Sequence, residues 1–273
     1  MRAPVLLDCD PGHDDAVAIL LAAGRRDAID LRAVTTVAGN ADLGKVTLNA
    51  RRVLTLAGVD DVPVAAGAAG PRNGELVTAP DIHGESGLDG AELPAPAIAL
   101  DERGALELMA AHGPATVVAT GPLTNVAALL EQAPETVTEI VFASGVPLTM
   151  VGLNLTHQAQ ATPAVLGRLR AIGNPAAEAT VGWLTFFGET YQSVFGFEGP
   201  PVHDPCALAL VIDPTLVRCI DAFVAIETEG RWTRGATIVD LHGKLGPAPN
   251  ARVAMELDVP RFWDLVLDAI AAL

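Results

Sequence analysis

The feature that most constrains this chain is an acidic octapeptide near its beginning, DCDPGHDD, residues 8–15. It contains four aspartates and neither lysine nor arginine. Carboxylates crowded in this way repel one another and raise each other's pKa unless a cation lies among them. Ligation by oxygen alone favours a hard divalent ion, Ca²⁺ or Mg²⁺. The octapeptide therefore predicts a metal site, because helix capping by Asp14 and Asp15 would leave Asp8 and Asp10 unexplained.

The position of the octapeptide supports this interpretation. The apolar run before it, residues 4–7, is typical of a buried strand. The segment after it, residues 16–23, predicts a helix that stops at Gly24. The acids thus occupy a strand-to-helix turn, where open α/β sheets bind their ligands.

The rest of the chain alternates between strand-like and helix-like segments, which predicts an α/β fold with an open, mainly parallel, doubly wound sheet. A small antiparallel part is expected at the C-terminal end. The predicted strands are residues 29–37, 62–66, 115–119, 148–152, 223–227, 237–241 and 252–257. The predicted helices are residues 42–56, 101–111, 135–144, 163–172, 176–195, 206–212 and 262–272, with another starting near residue 126. Because no repeat or low-complexity linker is visible, we expect one domain over residues 1–273.

Composition narrows the choice of partners. Seventeen basic against 33 acidic residues give a net charge of −16, which argues against nucleic acid or an anionic membrane as partner. A neutral or cationic substrate agrees better with this charge. Cys9, Cys206 and Cys219 lack the spacing of a disulfide framework or a zinc site. No secretory signal or membrane-spanning run is visible, so we expect a cytoplasmic protein.

Further polar and aromatic residues stand out. The Gly- and Pro-rich segment 67–96 contains His83, and a loop of this length inside a domain is often functional. Asp204 precedes Pro205, so it is also a candidate helix N-cap. Phe187 and Tyr191 are four residues apart and share one helix face, where they either pack in the core or flank a flat ligand.

Together these motifs resemble the inosine-uridine-type nucleoside hydrolases, and the resemblance covers nearly the whole chain. It is carried by the octapeptide, Asn40, the His83 loop, Thr120 and His203-Asp204. Two longer segments, LTMVGLNLTHQAQATP (148–163) and PPVHDPCALALVIDP (200–214), also match the family pattern.

The resemblance implies one Ca²⁺ at the floor of a cleft. Its ligands would be the carboxylates of Asp10, Asp15 and Asp204 and the backbone carbonyl of Thr120, with two ribose hydroxyls and a water. Asp10 would also be the general base for that water. Such oxygen-rich coordination fits Ca²⁺ better than Mg²⁺.

The resemblance also implies the substrate contacts. Asp14 and Asn40 would bind the ribose hydroxyls, and His83 would lie near the base. His203 would assist departure of a purine, while Phe187 and Tyr191 would flank the base. The implied reaction is hydrolysis of the N-glycosidic bond of a nucleoside, as in nucleoside salvage, by a homodimer or homotetramer.

One part of the family pattern is missing between about residues 139 and 141. Relatives of this type carry a further strand–loop–helix unit there, roughly thirty residues long, whose loop holds the 5′ side of the ribose. Two functions remain open at this point: a weakened Ca²⁺-dependent nucleoside hydrolase, or an impaired remnant that binds Ca²⁺ and ribosides. A phosphohydrolase with Asp8 or Asp10 as nucleophile is a third, less favoured hypothesis, because Pro11 interrupts the usual motif.

Overall fold

Two sheets and the helices around them form the fold of this protein. The structure is a computed structural model, and it describes residues 2–141 and 147–273, without the side chains of residues 141, 190 and 192–195. The strands are β1 Ala3–Cys9, β2 Ile29–Thr36, β3 Val64–Ala66, β4 Ala115–Ala119, β5 Val137–Val141, β6 Thr149–Met150, β7 Val217–Ile226, β8 Thr237–Asp240 and β9 Ala251–Leu257. The helices are α1 His13–Gly24, α2 Leu43–Leu56, α3 Pro80–His83, α4 Ala105–His112, α5 Thr124–Gln132, α6 Leu153–Thr156, α7 Pro163–Ile172, α8 Pro175–Phe195, α9 Asp204–Ile212 and α10 Val259–Ala271.

The first sheet is parallel throughout, in the order β3-β2-β1-β4-β5. Strand β1 lies at its centre, and Val5, Leu6 and Leu7 are almost completely buried. The strand order reverses between β1 and β4, and this switch point is where ligands bind in open α/β sheets. Helix α1, which follows β1, packs against α2, α9 and α10. Its residues from His13 to Ala23 are all buried, so the acidic turn is held on a rigid base.

The second sheet has the order β6-β9-β7-β8. Strand β7 pairs antiparallel with β8 and β9, whereas β6 pairs parallel with β9. A parallel bridge between Ile140 and Leu148 joins the two sheets. The backbone nitrogen of Ile140 donates to the carbonyl of Pro147 at 2.9 Å. The predicted α/β class, with a mainly parallel sheet and an antiparallel C-terminal part, is therefore confirmed.

The helix predicted over residues 135–144 is wrong. Residues Pro134–Thr136 form a 3₁₀ turn, and Val137–Val141 form strand β5, which pairs parallel with β4. Branched side chains at Val137 and Ile140 favour a strand, and burial of Ile140 against the core outweighs the helical pattern. Residues 142–146 of the predicted helix lie outside the described residues.

The other predicted helices and strands differ from the observed ones mainly at their ends. The helix predicted from residue 101 begins at Ala105, and the strand predicted over residues 148–152 is reduced to the Leu148 bridge and β6. Among the described residues, no helix has the length and apolarity needed to cross a membrane.

Candidate active site

The acidic octapeptide forms the turn between β1 and α1. Helix α1 begins at His13, after Gly12 as N-cap residue. The carboxylate of Asp15 accepts hydrogen bonds from the backbone nitrogens of Gly12, at 3.1 Å, and Asp10, at 3.3 Å. Asp15 thus caps its own helix from within, as a capping box does. These contacts fix the turn that carries Asp10 and Asp14.

An acidic cluster lies at this turn. One carboxylate oxygen each from Asp14, Asp15 and Asp204 lie within 4.8 Å of one another. Asp204 comes from the start of α9, far along the chain. Its predicted role as N-cap is wrong, because His203 occupies the N-cap position and Asp204 is the first helical residue. Asp204 instead faces Asp14 and Asp15, and Asp10 is close enough to repel it.

The electrostatics of the cluster favour a cation. Burial, with the charge of Asp14 as the second cause, raises the pKa of Asp15 to about 6. Burial first, and neighbouring carboxylates second, hold the pKa values of Asp10 and Asp204 well above their usual range. Among the described residues, no lysine or arginine forms an ion pair with any of these carboxylates. A buried set of oxygens with no cationic partner suits a hard divalent ion.

Asn40 and two glycines hold the Asp10 carboxylate in place. The backbone nitrogen of Asn40 donates to Asp10 Oδ2 at 2.8 Å, and its side-chain amide donates to the Asp10 carbonyl and to Asp15 Oδ2. A Cβ atom on Gly39 would overlap Asp10 Oδ2, and one on Gly121 would crowd Asp10 Oδ1. These positions therefore have to be glycine for the carboxylate to sit between them.

Thr120, at the end of β4, also reaches the acidic cluster. Its backbone nitrogen donates to the carbonyl of Asp8 at 2.9 Å, which continues the pairing of β4 with β1. Its hydroxyl donates to Asp15 Oδ1 at 2.8 Å. The sequence predicted that Thr120 binds the metal through its backbone carbonyl, and it did not predict this contact of the hydroxyl.

Asp8 belongs to the octapeptide but has a different environment. Its Oδ1 accepts from the hydroxyl of Thr35 at 2.6 Å and from the amide of Asn125 at 2.8 Å. Its Oδ2 is buried and has no hydrogen-bond partner among the described residues. Burial raises the pKa of Asp8 to about 6. Asp8 ties β1 to β2 and α5 and lies outside the acidic cluster.

A group of stacked rings lies beside the acidic cluster. His83 stacks on His13 and Phe187, with ring centroids 5.2 and 5.7 Å apart, and His13 stacks on Phe186. His13 Nε2 lies 2.8 Å from the carbonyl of Asp89. His83 Nδ1 lies 3.0 Å from His13 Nδ1 and accepts from the backbone nitrogen of His13 at 3.5 Å.

The charge states of these histidines follow from burial. Burial, with the neighbouring His13 as the second cause, lowers the pKa of His83 to about 3. The pKa of His13 is lowered in the same direction. Both rings are therefore neutral near pH 7, as suits their almost complete burial.

His203 connects the rings with the acidic cluster. Its Nδ1 lies 2.8 Å from the hydroxyl of Thr156, its Nε2 lies 3.0 Å from the hydroxyl of Tyr191, and its backbone nitrogen donates to Asp14 Oδ2 at 3.3 Å. Burial lowers the pKa of His203 to about 4 and raises that of Tyr191 to about 12. Near neutral pH the phenol therefore keeps its proton and the imidazole is neutral. Phe187 and Tyr191 make an edge-to-face contact, with their ring centroids 4.8 Å apart.

The structure brings all ten predicted site residues into two adjoining groups. The acidic cluster with its supports contains Asp10, Asp14, Asp15, Asn40, Thr120 and Asp204. The ring group contains His83, Phe187, Tyr191 and His203. Sequence reasoning missed His13, Phe186 and Thr156 as members. His13 lies inside the octapeptide, so its position in the motif could have indicated a role in the site. No local sequence pattern indicates one for Thr156.

Comparison with known proteins identifies the family. The model of the inosine-uridine preferring nucleoside hydrolases matches residues 5–140 and 138–264. The chain therefore belongs to this family, and it is an enzyme of the ribonucleoside hydrolase class. The two matched segments meet at residues 138–140, within the stretch for which the sequence pattern predicts a missing strand–loop–helix unit.

Relatives and solved structures agree with this assignment. The pyrimidine-specific ribonucleoside hydrolase RihA of Escherichia coli O139:H28 is 41% identical over 308 aligned residues, covering 99% of each chain. RihA of Citrobacter koseri is 40% identical over 309, again covering 99% of each. A purine-preferring ribonucleoside hydrolase from Gardnerella vaginalis superposes with a TM-score of 0.88 at 27% identity, covering 98% of each chain. A plant nucleoside hydrolase gives a TM-score of 0.89 at 25% identity, covering 100% of each.

Proposed function

We propose that this chain hydrolyses the N-glycosidic bond of ribonucleosides in a Ca²⁺-dependent reaction that yields base and ribose. The observation that carries the proposal is the convergence of Asp14, Asp15 and Asp204 within 4.8 Å, the first two buried and the third half-buried, without a cationic partner in the described chain. This cluster lies at the switch point of a parallel sheet and beside a group of rings. A metal, a sugar diol and a flat base are the three ligands that such a site accommodates.

The donor set fits a calcium ion. Asp10, Asp15, Asp204 and the carbonyl of Thr120 are the proposed ligands, and Asp14 contributes a further carboxylate to the same space. All of these atoms are oxygens, and the site combines several carboxylates with a neutral carbonyl, as Ca²⁺ prefers. A bound Ca²⁺ would lower the pKa of a coordinated water and hold vicinal hydroxyls of the ribose.

Asp10 is the proposed general base. Its Oδ2 is fixed by the backbone nitrogen of Asn40, and its position between Gly39 and Gly121 leaves little freedom of rotation. Asp14 and the amide of Asn40 are proposed to bind the ribose hydroxyls. As the bond to the base breaks, C1′ gains oxocarbenium character, and the surrounding carboxylates stabilise this positive charge.

The ring group is proposed to handle the base. His83 is proposed to lie near the base, with Phe187 and Tyr191 flanking it; His83 and Phe187 are stacked on each other and almost completely buried. His203 is proposed to assist departure of the base, and the hydroxyl of Tyr191, 3.0 Å from its Nε2, holds the ring in position. Because the relatives at 41% identity are named pyrimidine-specific, uridine and cytidine are the first substrates we propose.

The remaining features are proposed from the same family membership. The chain forms one domain shortened between about residues 139 and 141, works in nucleoside salvage in the cytoplasm, and assembles as a homodimer or homotetramer. The missing loop lowers turnover, because binding energy from the 5′ side of the ribose no longer helps to position the substrate.

The test is release of base from uridine, cytidine, inosine and adenosine by the purified chain, with CaCl₂ or with EDTA. We expect Ca²⁺-dependent release, and we expect Asp10→Asn to lower kcat by about 10²- to 10⁴-fold, the usual contribution of a general base. The exposed Asp81→Asn is the matched control and retains activity. Absence of release from every nucleoside contradicts the proposal. Nucleoside binding by calorimetry without release would instead favour the binding remnant.

A further inference from the structure

The side-chain amide of Asn125 joins the ends of three strands of the first sheet. Asn125 is the second residue of α5, and it is almost completely buried. Its Nδ2 donates to Asp8 Oδ1 at 2.8 Å and to the carbonyl of Thr36, the last residue of β2, at 3.0 Å. Its Oδ1 accepts from the backbone nitrogen of Ala68, just after β3, at 2.9 Å. One side chain therefore links β1, β2 and the segment after β3 to helix α5.

The surroundings of this amide leave it a single position. A backbone carbonyl only accepts and a backbone N–H only donates, so Thr36 and Ala68 decide which end of the amide carries the oxygen. A Cβ atom on Gly67 would lie 2.3 Å from Asn125 Oδ1. Any residue larger than glycine at position 67 would therefore displace the amide.

On one side the amide fixes the turn between β2 and α2. This turn starts directly after Thr36, whose carbonyl accepts from the amide. The backbone nitrogen of Ala38 donates to the carbonyl of Ala68 at 2.9 Å, so the turn is also attached to the second backbone partner of the amide. Asn40, in the same turn, donates to Asp10 Oδ2. The first support of the Asp10 carboxylate is thus tied to the amide.

On the other side the amide is carried by α5, which follows the turn after β4. Gly121 in that turn lies against Asp10 Oδ1. The two turns also touch, since a Cβ atom on Gly39 would lie 2.8 Å from the ring of Pro122. The Asp10 carboxylate therefore lies between two turns. The amide is hydrogen-bonded to one of them and covalently continuous with the other.

We propose that Asn125 is a positioning residue for Asp10: its amide sets the spacing of the two turns, and through them the place of the carboxylate. The inference rests on the proposed role of Asp10 as general base. It does not depend on where the nucleobase binds, because every contact it uses lies within the chain. A displacement of about 1 Å at a reacting group can cost about 10²-fold in rate, so a small shift of the turns is enough.

Two variants disturb the amide in different ways. Asn125→Ala removes it, whereas Gly67→Ala keeps it and displaces it. At saturating CaCl₂ we expect each variant to lower kcat for the best nucleoside substrate by about 10²-fold, as a misplaced catalytic group does. KM is expected to change by less than about threefold, since neither variant removes a contact with the substrate.

Asn174→Ala is the matched control. The amide of Asn174 also donates to a backbone carbonyl, that of Ile270, and accepts from a backbone nitrogen, that of Ala177. It joins α8 to α10, away from Asp10. We expect this variant to lower the melting temperature and to keep the wild-type kcat. A fall in kcat as large as that of Asn125→Ala would show that any lost amide has this effect, and it would overturn the proposal.

A double variant shows whether Asn125 acts through Asp10. Asp10→Asn has no carboxylate left to position. Asn125→Ala added to it is therefore expected to lower kcat by less than about threefold, far short of an additive loss. An equal fall in both backgrounds would mean that the amide supports the fold alone, and it would overturn the proposal.

Crystal structures of the wild type and of both amide variants give a readout that needs no activity. We expect the bond from the backbone nitrogen of Asn40 to Asp10 Oδ2, 2.8 Å in the wild type, to lengthen beyond about 3.5 Å, where a hydrogen bond is lost. An unchanged Asp10 carboxylate in whichever variants fold overturns the proposal. If the wild type hydrolyses no nucleoside, the proposed function fails, and these structures alone decide whether Asn125 positions Asp10.

Discussion

The hydroxyl of Tyr191 lies 3.0 Å from Nε2 of His203, and the opposite nitrogen of the same ring lies 2.8 Å from the hydroxyl of Thr156. The imidazole therefore has a hydroxyl partner on each side and is fixed in orientation. Because burial lowers the pKa of His203 to about 4 and raises that of Tyr191 to about 12, neither group titrates between pH 5 and 8 in the free enzyme. Near neutral pH the phenol therefore keeps its proton, and the neutral imidazole is held between two hydroxyl groups.

Tyr191→Phe tests this arrangement without removing the ring. We expect kcat for uridine to fall by about 10²-fold, the lower range for loss of a positioned proton donor. A 4-nitrophenyl riboside has a leaving group that needs no proton, so its kcat is expected to change little. Steady-state kinetics on both substrates provides the measurement, and an equal fall on the two would show that Tyr191 acts through packing alone.

Calcium is expected to stabilise the folded chain through the acidic cluster. At a free concentration of 100 times Kd, a ligand that binds only the folded state adds about 2.7 kcal/mol to the free energy of unfolding. Asp204→Asn removes one proposed ligand and is expected to abolish most of this gain. Asp8→Asn, in the same octapeptide but outside the acidic cluster, is the control and retains it.

The measurement is thermal unfolding with CaCl₂ and with EDTA. If Asp204→Asn gains as much from CaCl₂ as the wild type does, the ion binds elsewhere.

Gly39→Ala is expected to displace the Asp10 carboxylate, since its Cβ would overlap Asp10 Oδ2. A misplacement of this kind costs about 10²-fold in rate, and the loss should appear in kcat. Gly167→Ala is the matched control. It lies within α7 with open space around its Cβ position, so alanine there is expected to stabilise the helix by about 0.5 to 1 kcal/mol. Normal activity of Gly39→Ala, with unchanged thermal stability, would contradict the proposal that Gly39 is needed to hold the Asp10 carboxylate in place.

Because Asp8 is buried, we expect the stability of the metal-free protein to depend on pH. Burial raises its pKa from 3.8 to about 6, so the folded state binds this proton more tightly than the unfolded state. The contribution of Asp8 to the free energy of unfolding is therefore fully present below pH 4 and is lost as the pH rises through 6. The loss amounts to about 3 kcal/mol at pH 7.

Asp8→Asn removes that titration and retains the oxygen that accepts from Thr35 and Asn125. The free energy of unfolding of the variant, minus that of the wild type, is expected to increase from pH 4.5 to pH 7.5. Urea denaturation in EDTA at both pH values measures the difference. An unchanged difference would mean that Asp8 titrates in the folded state much as it does in the unfolded chain.

Helices and strands could be predicted from the sequence where neighbouring segments all indicate the same structure. The strand, turn and helix around the octapeptide were predictable because an apolar run, crowded acids and a helical stop occur in direct succession. The segment Val137–Val141 was misinterpreted because its strand character depends on pairing with β4 and on burial of Ile140. Such pairing leaves no short-range pattern.

The candidate site shows the same limit. Asp10, Asp15 and Asp204 were identified through family resemblance and chemistry, but the contact of His203 with Thr156 spans 47 positions of sequence. The stack of His13 on Phe186 joins the octapeptide to α8. Such partners are selected by the packing of distant elements, so residue type and spacing do not reveal them.

The bridge between Ile140 and Leu148 is the point where the two sheets meet edge to edge. It also divides the proposed catalytic apparatus. Asp10, Asp15 and Thr120 lie before it, and Tyr191, His203 and Asp204 lie after it. Cleaving the backbone there yields two polypeptides, neither of which holds a whole reaction centre. Recovered turnover would then report their reassociation, which makes this junction a natural place to build a split-enzyme reporter.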